Sequence, residues 1–146
     1  MLSATLVDTS AFPRVVLSSH PFDGRFAGHM MDVRVAGPAY QVNERTLTHS
    51  FRVAEWIALF VALMDDLHGR GEFVVWGIGD YRIEGPLLRC QLAGDGRGHF
   101  AVDLSLAQGH LRLSDRFTTD QTCLALFIAE LRRMGEAMGD DATPKT

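Results

Sequence analysis

Between Ser50 and His68, in the stretch SFRVAEWIALFVALMDDLH, the apolar residues Val53, Trp56, Ile57, Phe60, Met64 and Leu67 recur at steps of three and four. That is the period of an α-helix, and it places them on one face. Leu59, Val61 and Leu63 fall off this stripe, so the second side of the helix is also largely apolar and calls for a cover, from the neighbouring helix or from another chain. Ser50 is expected to cap the first turn, Glu55 lies near the positive end of the dipole, and Gly69 with Gly71 is expected to stop the helix at positive φ. A second stripe, Leu124, Phe127, Ile128, Leu131, Met134 and Met138, predicts another amphipathic helix, with Glu130, Arg132, Arg133 and Glu136 on its wet side. Thr118 followed by Gln121 has the form of a capping box at its start.

Elsewhere the period is two. RVVLSS after Pro13, HMMDVRVAG with Met31, Val33 and Val35 inward, and AYQVNERTLTH with Tyr40, Val42 and Leu47 predict three strands before the first helix. Residues 1 to 11 show no convincing period and are expected to be loose. After the helix, FVVWGIG and DYRIEG form two strand pieces around Gly77, Gly79 and Asp80, and Pro86 separates off LLRCQLAG. HFAVDLSLAQG, with Phe100, Val102, Leu104 and Leu106 inward, and HLRLSDRF follow. Turns are marked by His20-Pro21 with Asp23-Gly24, by Gly37-Pro38, by DGRG at 95 to 98 and by Gln108-Gly109. The order βββα-βββ(β)-α predicts an α+β domain: one curved antiparallel sheet of six to seven strands, the first helix in its concave side and the second alongside. Residues 1–138 are expected to form a single domain and 139–146 a disordered tail, with no internal repeat.

Charge narrows the function classes. The net charge of −4 argues against nucleic acid, because Arg132 with Arg133 is the one basic pair in the sequence. The start MLSATLVDTS lacks a signal-peptide pattern, and Trp56 to Met64 is too short an apolar run to span a bilayer, so a cytoplasmic protein is expected. Cys90 and Cys123 match no metal or redox spacing and are expected to be buried free thiols.

No catalytic signature stands out. The six histidines at 20, 29, 49, 68, 99 and 110 form neither HxH nor HxxxH, so neither a metal nor another cofactor is implied. His49 with Asp80 or Asp103 is a conceivable acid/base pair, and Ser18-Ser19-His20 and Ser114-Asp115 hold nucleophile-type residues without an elbow to expose them. A binding surface has more support. Trp76, Asp80, Tyr81 and Glu84 gather aromatic and acidic side chains on one strand-turn-strand element, which suits a basic partner surface, and Asp65 with Asp66 is a second acidic spot, misplaced for its helix dipole. The bland alternative makes Trp76 a core residue and the acids merely solvated. Two further readings compete: an apolar ligand cavity between sheet and first helix lined by Phe51, Trp56, Phe60, Phe100 and Phe117, and a homodimer through the surplus apolar face of the first helix.

Residues 12 to 138 resemble a small bacterial family, domain of unknown function 6228, itself similar to immunity proteins encoded beside wall-associated polymorphic toxins. The pieces that carry the resemblance are Trp76 after the first helix, the run Gly-His-Phe-Ala-Val-Asp-Leu at 98 to 104, LRLSDRF and the final helix LALFIAELRRM. These are structural positions, so no active-site residue follows from them. The resemblance implies a cytoplasmic, non-catalytic binding protein that neutralises a cognate toxin or effector.

Overall fold

A computed structural model describes residues 2–20, 28–79 and 82–139. The chain runs β1(Leu2–Val7), β2(Pro13–Ser19), β3(His29–Gly37), β4(Tyr40–Thr48), α1(Ser50–Asp65), β5(Arg70–Gly79), β6(Arg82–Gly94), β7(His99–Gln108), β8(Leu111–Asp120) and α2(Gln121–Met138). The strands form two four-stranded antiparallel sheets, β1-β2-β3-β4 and β5-β6-β7-β8, and not the single curved sheet of six to seven strands that the pattern predicts. The order is therefore ββββα twice, a repeat of elements with no matching repeat of residues. Two differences add up to this change. Leu2–Val7 is a strand, with Ala4 and Leu6 fully buried, and the pieces on either side of Pro86 join into one long β6. Register shifts at Val75/Trp76 and Gly77/Ile78 in the β5–β6 pairing accommodate the proline. The loop expected from Pro21 to Gly24 and the tail beyond Gly139 lie outside the described residues.

Each helix shields the first strand of the sheet it does not follow. Strands β1 and β5 are sheet edges, whose unpaired backbone groups need partners. From α1, Trp56 Nε1 donates to the Val74 carbonyl of β5 at 2.9 Å; from α2, Glu130 Oε1 accepts the Thr5 amide of β1 at 3.0 Å. Threonines complete the join. The Thr46 hydroxyl of β4 donates to the Trp76 carbonyl and accepts the Ile78 amide, both at 2.9 Å, beside the β5 irregularity. The Thr119 hydroxyl of β8 donates to the Val7 carbonyl at 2.8 Å, where β1 also shifts register. Thus each sheet's last strand meets the other's first through a buried side-chain hydroxyl. One contiguous core results, drawn from both sheets and both helices.

The buried stripe of α1 is Val53, Trp56, Phe60 and Leu63, so Leu63 belongs to the core while Ile57, Met64 and Leu67 are half-buried. His49, not Ser50, is the N-cap residue, and its side chain makes no capping bond. The helix ends at Asp66, whose carboxylate accepts the His68 amide at 3.1 Å and whose carbonyl accepts the Gly69 amide at 2.8 Å. Neither Gly69 nor Gly71 has positive φ. Gly71 is small because Leu59 approaches it: an added Cβ would lie 2.3 Å from Leu59 Cδ1. For α2 the cap is Asp120, accepting the Cys123 amide at 2.9 Å, and not the expected Thr118 box. Hence Asp120→Ala is expected to cost about 1 kcal/mol of unfolding free energy in denaturant titration, and Thr118→Ala much less. Among the described residues, no helix is long and apolar enough to cross a membrane.

Candidate functional site

The helices lie antiparallel: Val53 sits beside Gly135, and the Phe60 and Phe127 rings meet edge-on at 5.2 Å. The N-terminal turn of α1 therefore faces the C-terminal turns of α2 and the bulged part of β5. Three features converge on this corner. His49 and Phe51 stack with centroids 5.3 Å apart and planes inclined 14°. The Arg52 guanidinium lies 4.9 Å from the Phe51 ring centroid and 5.8 Å from that of Trp76, and it pairs with Glu55 at 3.2 Å. The ladder His49, Phe51, Arg52, Trp76 is thus half-open to solvent, with Phe51 38% exposed. Beside it, an open apolar groove of about 500 Å³ runs between the helices, lined by Phe51, Ala54, Ile57, Arg132, Gly135 and Glu136 among others.

The structure divides the residues singled out from the sequence. Trp76 is half-buried in the ladder, and exposed Glu84 lies on the paired strand β6. Asp80 and Tyr81 fall outside the described residues. Asp65 and Asp66 are exposed at the opposite end of the 16-residue α1, about 24 Å away, so they do not share a site with Trp76. Of the residues proposed to line an apolar cavity, Trp56, Phe60, Phe100 and Phe117 are buried, whereas Phe51 is at the surface. The space between the second sheet and α1 is occupied by rings: Phe73 meets Trp56 at 5.3 Å, Phe60 at 5.4 Å and Phe127 at 6.2 Å, all edge-on. Arg52 is the site residue the sequence reading misses, and His49 enters that reading only as a conceivable acid/base partner. The signal for both is Phe51-Arg52 at a helix start, off the stripe set by Val53, Trp56 and Phe60, where an aromatic residue has no core to enter.

Several of the reactive side chains singled out from the sequence are buried or paired elsewhere. Burial pushes the Cys90 thiol up to about 12, and burial with the neighbouring Asp120 also raises Cys123, so neither is primed as a thiolate. Asp103 pairs with Arg116 at 2.6 Å and does not serve His49. Ser18 bonds Ser3, and Asp115 of the Ser114-Asp115 pair is held by Arg14 and Tyr40. His20 Nε2 lies 2.6 Å from Asp32, but Arg45 also grips that carboxylate and, with His20, draws its pKa down. His29 is the buried histidine, its Nε2 3.2 Å from the Met138 carbonyl at the end of α2. Among the described residues, no three His, Cys, Asp or Glu side chains are grouped as a metal ion requires.

No protein-family model matches the chain, and no curated protein matches it. Among solved structures, the chain is similar to that of the plant transcriptional regulator PBF-2, at 14% identity over 93% of this chain and 80% of that one, with a TM-score of 0.47. A likeness at that level assigns nothing to the corner just described.

Proposed function

We propose that the chain is a non-catalytic protein-binding module of the immunity type, which acts in the cytoplasm by occluding a cognate toxin or effector. The observation that carries this reading is the His49, Phe51, Arg52, Trp76 ladder. Interface hot spots are enriched in Trp, Tyr and Arg, and a stacked ladder offers such side chains already ordered, so little conformational entropy is lost on docking. Exposed Glu84 and the net charge of −4 favour a basic partner surface through steering. A helix–sheet layer filled with the rings of Trp56, Phe60, Phe73 and Phe127 agrees with a surface mode of action. The resemblance to domain of unknown function 6228 belongs to the same proposal.

The partner to test is the protein encoded next to this one. Calorimetric titration is expected to show a complex, and Trp76→Ala is expected to weaken it by about 2 kcal/mol, roughly thirtyfold. Absence of any complex at micromolar concentration, or a Trp76→Ala variant that binds as well as the parent, overturns the reading.

A further inference from the structure

Of the edge strands β1, β4, β5 and β8, all but β4 are covered or blunted. Strand β1 is met by Glu130 of α2 and shifts register at Leu6/Val7, and β5 is met by Trp56 of α1 and shifts register at its bulges. On β8 the Thr118 carbonyl accepts the Thr9 amide at 2.9 Å, and the Arg116 amide is taken up by the Asp115 carboxylate at 2.7 Å. The Arg112 guanidinium folds onto the Gly109 and Leu111 carbonyls, both at 2.9 Å. Bulges, covering elements and charged side chains are the means by which native sheets keep an edge from pairing with another chain.

Strand β4 is the exception over its first half. Its register with β3 is unbroken from Gly37↔Tyr40 to His29↔Thr48. Antiparallel neighbours exchange hydrogen bonds at every second residue. The Met30 carbonyl turns toward β2, where it accepts the His20 amide at 2.9 Å, so Val33 and Val35 turn toward β4 and meet Glu44 and Val42. The amides and carbonyls of Gln41, Asn43 and Arg45 therefore point out of the sheet, and among the described residues no hydrogen bond reaches them. From Thr46 onward the strand is joined to β5 by the Thr46 hydroxyl. The free run is thus 41–45, and the charge of its outward Arg45 is balanced by Asp32 at 2.7 Å.

We propose that this edge pairs with the same edge of a second copy, antiparallel about a two-fold axis at Asn43, so that two four-stranded sheets join into one. The occupant follows from how the run reads against itself. Centred on Asn43, Gln41 stands opposite Arg45, Val42 opposite Glu44, and Asn43 opposite its own copy. Every outward amide and carbonyl of the run then finds a partner, and no like charges face each other. A centre at Glu44 or Arg45 sets like charges on one another, and one at Gln41 or Val42 sets Asn43 or Arg45 against Ala39 in the hairpin turn. The β8 edge fails the same comparison, because pairing about Ser114 places Arg112 against Arg116. A run this short gives an interface at the low end of the specific range, and hence a reversible dimer. Asn43 and His49 stand roughly 20 Å apart along the strand direction, so the edge lies apart from the α1 corner and the proposal is independent of the partner-binding reading.

Sedimentation equilibrium of the full chain over about two decades of concentration is the test. The average mass is expected to rise from 16.1 kDa toward twice that value as concentration increases. Asn43→Pro removes an outward donor without touching the β3 ladder, and proline is tolerated on an edge strand. It is expected to weaken dimerisation at least tenfold with unchanged circular dichroism, whereas Ser114→Pro on the β8 edge is expected to leave the dimer intact. Gln41→Glu sets a carboxylate opposite Arg45 and is expected to tighten the dimer about threefold, and Gln41→Arg to weaken it by as much. That pair decides the matter if Asn43→Pro disturbs the fold. A chain that stays monomeric throughout, a dimer indifferent to Asn43→Pro, a dimer lost with Ser114→Pro, or Gln41 variants without opposite effects overturns the proposal. So does a β4 edge whose amides gain exchange protection only when the adjacent-gene protein is added, which assigns the edge to that partner.

Discussion

Phe73→Ala is expected to lower the unfolding free energy by about 3–5 kcal/mol, the largest effect of any single truncation argued from this structure. Phe73 is fully buried and its ring touches those of Trp56, Phe60 and Phe127, so it connects β5 to both helices at once. Truncation opens a cavity that three edge-on rings cannot collapse into without giving up their own pairings. In a domain of this size the loss corresponds to a fall in melting temperature of roughly 10 °C, measurable by calorimetry. Phe51→Ala removes an equally large ring from a site 38% exposed and is expected to cost under about 1 kcal/mol. If the two variants melt alike, the core is not centred where the structure places it.

Arg14→Met is expected to cost about 2–4 kcal/mol, and its signature is a change in pH dependence as well as in stability. Arg14 is 5% exposed where the β1–β2 turn meets β8; it bonds Asp115, approaches Asp8 at 3.5 Å and lies 4.8 Å from the Phe117 ring centroid. Removing it leaves two carboxylates facing each other's strands without a cation. The cost stays below that of a sealed pair because the Asp115 side chain is 29% exposed. Tyr40 donates to the same carboxylate, and that bond, with Arg14, holds the Asp115 carboxyl below its ordinary 3.8. A depressed carboxyl pKa contributes stability above pH 3.8 that is lost as pH falls through the folded value. Burial, then the bond to Asp115, raises the Tyr40 phenol from 10.0 to about 12. A raised phenol contributes stability that is complete below pH 10 and lost as pH climbs through about 12. Denaturant titrations across pH should therefore show both limbs in the parent chain. Tyr40→Phe should abolish the alkaline limb and shrink the acid one. A pH profile unchanged by either substitution contradicts the account of this junction.

The elements whose apolar side chains are large were legible in the sequence. HMMDVRVAG matches β3 residue for residue, the alternation of Phe100, Val102, Leu104 and Leu106 marks β7, and the stripe from Leu124 to Met138 is the buried face of α2. Strand β1 is a different case. Leu2, Ala4 and Leu6 do alternate, but a methyl group is a faint signal, and Ala4 is buried because α2 packs against β1. The division into two sheets leaves no trace in any pattern. Alternation reports which face of a strand is apolar, not which strand is its neighbour, and the break between β4 and β5 is bridged by the Thr46 hydroxyl in place of a ladder. Pro86 looked like a boundary because it cannot donate to a ladder, yet a bulged partner strand removes the need. Of the residues named from the sequence for a binding surface, Trp76 stands half-buried in the ladder and Glu84 is exposed on the paired strand β6. Phe51 enters the sequence reading only as the lining of an interior cavity, because its helix is otherwise apolar, His49 only as half of an acid/base pair, and Arg52 not at all, because a single arginine at a helix start carries no pattern.

A surface site at the α1 corner makes a spatial prediction that amide hydrogen exchange tests most directly. When the adjacent-gene protein is added, new protection is expected in residues 49–56 and in the paired strands around Trp76 and Glu84, while the already buried β7 amides stay unchanged. Protection confined to other surfaces, such as the outer face of β7 and β8 around Asp103 and Arg116, contradicts it.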